Sequence, residues 1–420
     1  FDQKAEILRK AATLLKERAD EINGWNTREC GSIGPKADWE LQATYEQAQM
    51  AAALPMQPSG EIFPSNMPGK RNYWKRVPIG TVGVIAPWNF PILLAMRSVF
   101  PALAMGNCVI LKPDPKSSIC GGVLMAKILE DAGLPEGVFH VLPGGPDVGQ
   151  ALVEHPLVKM ISFTGSTAVG KKIGETCGRM LKKAALELGG NNAQVVLEDA
   201  DLDIASSCGA WGSFLHQGQI CMQTGRHLVH RSVADEYIER LAARAGNLAC
   251  GNPAQEQAHL GPLINEAQAK RVEDIVNRSV EMGARIVVGG KRNGNYYEAT
   301  VMSDVTPDMP VFSEEVFGPV APVMTFDSDD NACSLVNESL YGLAAAIHSR
   351  STERALQIAN QIQVGMIHIN DQTVNNEFQV PFGGLGSSGN SGRFGGPANI
   401  EEFTTSQWVS VMEKGIQYPF

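Results

Sequence analysis

The chain has no Cys-x-x-Cys pair, no His-Glu-x-x-His spacing, no internal repeat and no low-complexity segment. It also has no apolar run approaching the ~20 residues that a membrane helix needs. The missing imidazole spacing leaves nothing to bind a metal, so none is expected. The missing apolar run excludes a helical membrane span. No Gly-x-Gly-x-x-Gly runs from a strand pattern into a helix pattern; its one match, Gly384 to Gly389, lies far along the chain, which removes the commonest dinucleotide fingerprint as a guide. A surplus of positive charge is likewise lacking. The net charge of −10 disfavours nucleic acid and acidic membrane surfaces as partners. The eight cysteines (Cys30, Cys108, Cys120, Cys177, Cys208, Cys221, Cys250, Cys333) are scattered, the pattern of free thiols in a reducing cytoplasm. What is present is a soluble globular composition, 44% hydrophobic and 19% charged, over 420 residues. That length calls for two sizeable domains rather than one small core.

Asp2 to Ile22 reads as an amphipathic helix ending at Gly24, and about Ala37 to Leu54 as a second one stopped by Pro55. The stretch Pro55 to Gly69 is a connector, and Arg71 to Val77 an exposed strand. Thr81 to Ala86 and Cys108 to Lys112 are short apolar runs bounded by Gly and Pro, as buried parallel strands are. Helices fit Ile92 to Met105 and Ser117 to Ala132, with strands at Val138 to Leu142 and Lys159 to Phe163. A second alternating series starts at Ala193 to Leu197. It continues with helices at about Leu202 to Gly218 and Ala234 to Ala249, and strands at Arg226 to His230, Arg285 to Val288 and near Val301 and Val320. Phe403 to Met412 alternates as an exposed strand. Such alternation is the signature of doubly wound α/β sheets.

Three stretches carry chemistry. Cys221 ends Gln217-Gly218-Gln219-Ile220-Cys221, Glu187 lies in Leu186-Glu187-Leu188-Gly189-Gly190, and Asn89 lies in Pro87-Trp88-Asn89-Phe90-Pro91. A thiolate can attack a carbonyl, an amide N–H can hold the resulting oxyanion, and a carboxylate can activate water. Taken alone, each has an ordinary structural explanation: a small buried hydrophobe, a solvated loop end, a turn residue. Cys108, Cys120 and Cys208 lie inside strand or helix patterns where burial makes thiols inert, whereas Cys221 sits at a Gly-bearing break after a helix. In chain order with Phe163-Thr164-Gly165-Ser166-Thr167, Glu314-Glu315-Val316-Phe317-Gly318-Pro319 and Pro381-Phe382-Gly383-Gly384, the three motifs resemble the aldehyde dehydrogenase superfamily over nearly the whole chain.

The resemblance implies two Rossmann-like α/β domains plus a small β oligomerisation element. The expected division is residues 1–62 and 79–190 for dinucleotide binding, 191–390 for catalysis, and 63–78 with 391–420 for the oligomerisation strands and tail. A homodimer or homotetramer is implied, as are several dozen residues ahead of the first helix. It also implies Cys221 as nucleophile, Asn89 with the Cys221 backbone N–H as oxyanion hole, and Glu187 as the base that deacylates a thioester.

For the cofactor it implies a nicotinamide dinucleotide bound without the usual fingerprint. Lys112 would reach the adenosine ribose, Gly145 and Pro146 the adenine, Ser166 a phosphate, Glu315 the nicotinamide ribose and Phe317 the nicotinamide. Trp88, Asp114, Phe163, Val169 and Leu188 would complete the surroundings. Pro146 and Phe317 read equally well as packing residues. Gly165 to Lys171 also matches the Gly-x-x-x-x-Gly-Lys phosphate loop, but Lys172 follows where that motif needs Ser or Thr for magnesium. A strand running into a helix N-terminus holds pyrophosphate without metal. Pro115 stands where members preferring NAD often carry Glu, which weakens discrimination against NADP, while Asp114 can restore part of it; NAD is expected, with NADP possible.

On the aldehyde side, Phe90 and Phe382 would wall a tunnel with Leu94 and Ile220, and two aromatic faces suit a flat ring. Arg97 lies two helical turns beyond Phe90 on the same face and could meet a substrate phenolate. It reads equally as the partner of a structural carboxylate or as a subunit contact. The runs Leu215 to Met222 and Ile369 to Asn375 resemble the benzaldehyde, vanillin and salicylaldehyde dehydrogenase branch, so the expected reaction is oxidation of an aromatic aldehyde. A coenzyme-A-acylating or aliphatic semialdehyde dehydrogenase is the alternative, and a non-catalytic binding descendant of the fold a more distant one.

Overall fold

The computed structural model describes residues 2–420. Two largely parallel sheets and one small antiparallel sheet organise them. The first sheet has five strands in the order Phe139–Val141, Cys108–Lys112, Thr81–Ile85, Val158–Thr164, Lys183–Glu187, all parallel. The second has seven, ordered Arg285–Val288, Thr300–Ser303, Val320–Phe326, Thr224–His230, Asn192–Val196, Ala344–His348, Met366–Ile369. Only its first pair is antiparallel. Both are α/β sheets covered by helices, which is why their central strands are buried on both faces, polar residues such as Gln194, Arg226 and His227 included.

The crossing from one sheet to the other is short: Glu187 ends the last strand of the first and Asn192 opens a central strand of the second. Gly189 and Gly190 lie between. A Cβ at Gly190 would collide with the Cys221 carbonyl oxygen, and one at Gly189 with the Glu315 carboxylate. The double glycine is therefore a close-approach site.

Several boundaries differ from expectation. The first helix breaks at Arg18 (φ −104°, ψ 22°), where the guanidinium meets Glu21 and Asp131, and a second helix continues through Gly24 to Cys30. Gly31, in the left-handed region (φ 66°), ends it. Packing against Gly34–Ala53 outweighs the poor helix propensity of Gly24. The helix expected to reach Gly218 stops at Phe214, and His216, Gln217 and Gly218 take positive φ values of 48°, 57° and 68°. Gly60–Phe63, inside the expected connector, pairs with Lys70–Pro78, which also pairs along its full length with Thr404–Met412. No helix among the described residues is long and apolar enough to cross a membrane.

Candidate active site

Two cavities meet at Cys221. The larger, of about 370 Å³, lies beside the carboxyl ends of the five-stranded sheet and is lined by Trp88, Asn89, Ser166, Leu188, Cys221 and Glu315 among others. The smaller, of about 180 Å³, is walled by Trp39, Phe90, Leu94, Arg97, Ile220 and Phe382, again with Asn89 and Cys221. Asn89, Leu94 and Cys221 belong to both.

The turn bearing Cys221 is held from three sides. Asn192 Nδ2 donates to the carbonyls of Cys221 (2.9 Å) and Gln223 (2.7 Å), while its Oδ1 accepts from Ala344 N. Gln219 Oε1 accepts from Ile264 N at 2.9 Å, and Gln217 Nε2 donates to Pro262 O at 2.8 Å. Gln223 Nε2 donates to Gly318 O at 2.6 Å. These bonds account for the left-handed residues ahead of the cysteine: strain of that kind persists only where the surroundings over-determine it. Burial pushes the Cys221 thiol up to about 12, with Arg97 opposing and Glu187 and Glu315 adding to the rise. Cys221 itself is only partly buried, so its sulfur stays open to both cavities.

Asn89 Nδ2 donates to Gln219 O at 2.9 Å, which uses one of its two N–H groups, and its buried Oδ1 has no partner. Glu187, at the carboxyl end of its strand, is 2% exposed and lines neither cavity. Its Oε1 has no hydrogen-bond partner, and burial pushes the carboxyl up to about 8 against the pull of Arg97 and Arg393. A carboxyl titrating near neutrality suits general-base work. Arg97 is buried, donates from Nη2 to Thr164 Oγ1 (3.1 Å), and lies over the rings of Phe382 (4.8 Å) and Phe394 (4.7 Å). Burial lowers its pKa, while Glu187 and Cys221 raise it. Nothing pairs with it as a salt bridge among the described residues.

The residues expected at a dinucleotide divide into two groups. Trp88, Ser166, Leu188, Glu315 and Phe317 line the larger cavity. Phe317 takes a positive φ (53°) and meets Trp88 edge-on, with ring centroids 5.7 Å apart. Glu315 accepts from Gly190 N at 2.9 Å, and burial pushes it up to about 7. Ser166 precedes the helix Thr167–Arg179 and makes no capping bond, leaving its hydroxyl and the first helical N–H groups free. Lys112, Asp114, Gly145, Pro146, Phe163 and Val169 do not line it. Lys112 ends the neighbouring strand with Nζ on Pro113 O (3.0 Å), Gly145 precedes the helix Pro146–Glu154, and Val169 is exposed. Asp114 Oδ1 is engaged by Lys116 N, and the Phe163 ring packs under Gly165. An open helix N-terminus, a half-buried carboxylate and an aromatic pair in one cleft fit a nicotinamide dinucleotide.

Sequence reasoning missed the residues that hold this cleft together. Gln268 Nε2 donates to Phe317 O (2.8 Å), and Arg271 to the carbonyls of Val316 (2.9 Å) and Glu315 (2.8 Å). It also missed Asn192, and the tunnel residues Trp39, Trp211, Met222 and Val374. Asn192 stands two residues beyond a quoted motif, so its signal was within reach; a lone Trp in a helix offers none.

These observations agree with comparison to known proteins. The sequence profile of the aldehyde dehydrogenase family matches residues 1–409. The chain belongs to the aldehyde dehydrogenase family and is an oxidoreductase acting on an aldehyde group. It is 59% identical over 420 residues to the benzaldehyde dehydrogenase [NAD(+)] of Pseudomonas putida, spanning 100% of this chain and 86% of that one. It is 53% identical over 421 residues to the vanillin dehydrogenase of an Amycolatopsis species, with the same coverage of 100% and 86%. The crystal structure of an NAD-dependent aldehyde dehydrogenase from Sinorhizobium meliloti, 34% identical, superposes with a TM-score of 0.96 over 100% of this chain and 84% of that one.

Proposed function

We propose that this protein oxidises an aromatic aldehyde to its carboxylic acid, with NAD as the preferred cofactor and NADP accepted. The observation that carries the reading is the meeting of the two cavities at Cys221. One is walled by Phe90, Phe382, Trp39 and Trp211, and the other is fitted for a dinucleotide. The names of the relatives support an aromatic substrate, and two aromatic faces favour a planar ring.

Cys221 Sγ attacks the aldehyde carbon once its proton has left, and the buried Glu187 carboxylate is the group suited to take it. The free Asn89 N–H and the Cys221 backbone N–H stabilise the alkoxide of the hemithioacetal, roughly 3–4 kcal/mol per good donor. Ser166, Glu315 and Phe317 would hold a nicotinamide dinucleotide in the larger cavity, with Lys112 at the neighbouring strand end outside it, and that group would supply the hydride acceptor. Cys221 then carries the acyl group as a thioester. Glu187 first releases the thiol's proton to solvent, then deprotonates the water that attacks the thioester, and returns that proton to the departing Cys221 thiolate as the acid leaves. A coenzyme-A-acylating route would need no such base, so Glu187 speaks against it.

The same reading assigns residues 1–62 and 79–190 to dinucleotide binding, 191–390 to catalysis, and 63–78 with 391–420 to self-association as a dimer or tetramer. Steady-state kinetics with NAD on benzaldehyde and on propanal test the substrate. A kcat/KM at least about tenfold higher for benzaldehyde is expected, and a preference for propanal would refute the aromatic assignment.

A further inference from the structure

We propose that Lys36 is a positioning residue of this site: its ammonium ties the backbone of Asn89 to the ring of Phe90, so that the oxyanion amide and the aromatic wall are held as one unit. The inference rests on the proposed oxidation of aromatic aldehydes.

Lys36 opens the helix Gly34–Ala53, far in sequence from the reacting groups, and its side chain is 1% exposed. All three ammonium directions are accounted for. Nζ donates to Glu40 Oε2 at 2.6 Å and to Asn89 O at 2.8 Å, and it stands 4.3 Å from the centroid of the Phe90 ring. Glu40 completes the clamp. Its Oε1 accepts from Ile92 N (2.8 Å) and Leu93 N (3.2 Å), the first free amides of the helix Pro91–Ala104, and its Oε2 also accepts from Asn26 Nδ2 (2.7 Å). The segment Asn89–Leu93 is thus gripped at a carbonyl, a ring face and a helix N-terminus by one buried ion pair.

A buried pair whose only task was to join two helices would have no need of the Asn89 carbonyl or the Phe90 ring. The rest of the surroundings agree. His216 meets Phe90 edge-on from the nucleophile's own loop, with ring centroids 5.5 Å apart, and neither of its nitrogens has a hydrogen-bond partner. Burial, aided by the Lys36 charge, holds its pKa well below the ordinary value, so it packs as a neutral ring. Phe90 is therefore clasped between a cation on its face and a neutral imidazole at its edge. Asn89 and Phe90, adjacent in sequence, serve different partners, the alkoxide and the substrate ring. Lys36 Nζ donates to the backbone of the first and stands over the ring of the second.

The test is the double variant Lys36→Met/Glu40→Gln, which removes both charges at nearly constant volume, assayed with NAD on benzaldehyde and on propanal. Loss of the tie lowers kcat for both aldehydes and raises KM only where Phe90 is used. The expected result is a kcat/KM down about thirtyfold on benzaldehyde and about threefold on propanal, with KM for NAD unchanged. Partial misfolding would scale both substrates alike. Lys36→Gln, which keeps a donor for Glu40, is measured in parallel in case the double variant does not fold. An unchanged benzaldehyde-to-propanal ratio in whichever variant folds overturns the inference. So does failure of both to fold, since the pair is then a folding element. If the wild-type enzyme itself ignores benzaldehyde, the substrate assignment fails instead, and the inference falls with it.

Discussion

The two cavities that share Cys221 are built by different means. The dinucleotide cleft is shaped mainly by backbone: strand ends, the open amides after Ser166, the glycines at 165 and 189, and loop carbonyls captured by Gln268 and Arg271. The aldehyde tunnel is shaped by side chains delivered from many places in the chain, among them Trp39, Phe90, Trp211 and Phe382. Backbone surfaces tolerate few substitutions and suit a cofactor that does not change. Side-chain walls can be exchanged one at a time, so under the proposed function the tunnel is where the choice of aldehyde would be set.

Replacing the shared wall should damage both halves' work while leaving the cleft intact. Cys221→Ala is expected to lower turnover by about 10³-fold or more with NAD affinity unchanged by titration calorimetry. Weakened NAD binding of the same order would mean that the cavities are not separable. Glu187→Gln comes next, with steady-state turnover down about 10²-fold. A burst of reduced cofactor followed by a stall should appear in stopped flow.

The Glu187 carboxyl is raised from 4.5 to about 8, so wild-type turnover should climb as pH passes that value, and the variant should lose this limb. The stability sign follows from the same shift. Folding favours the protonated form, whose contribution is complete below 4.5 and lost as pH rises through about 8. The melting temperature of Glu187→Gln should therefore gain on that of the wild type between pH 6 and pH 9.

Two smaller effects separate the halves. Arg97→Met should cost about tenfold in kcat/KM on a hydroxylated benzaldehyde and less on benzaldehyde. It should also move the pH midpoint of Cys221 alkylation upward, because Arg97 opposes the rise in that thiol's pKa. An unmoved midpoint would reduce Arg97 to a packing residue. Gln268→Ala, which frees the Phe317 carbonyl, should raise KM for NAD by only about threefold to fivefold, the worth of one hydrogen bond. It should leave discrimination between aldehydes untouched, and a shift in that discrimination would blur the comparison.

How far the sequence could be read follows the same division. The parallel strands were legible because burial on both faces leaves short apolar runs between Gly and Pro, and Cys108–Lys112 falls where expected. The backbone-built part of the site was legible through its glycines and prolines, which mark close approach at fixed spacing. Helix ends were harder to read: Gly24 looks like a stop, yet tertiary packing carries the helix to Cys30. Least legible were the long-range captures. Lys36 on Asn89 and Gln268 on Phe317 join residues far apart in the chain, and neither residue type carries a local pattern. Glu187 was singled out by its motif, but its burial outside both cavities was not legible, because its surroundings include Arg97, Gly384 and Arg393 arriving from elsewhere in the chain.

The common sulfur has a practical corollary. Since Cys221 borders both chambers, a group lodged on it from the tunnel mouth is expected to alter the wall of the larger chamber as well. An aryl electrophile that enters by the aldehyde door thus becomes a reporter readable from the opposite room, and occupancy of that room becomes a shield against it.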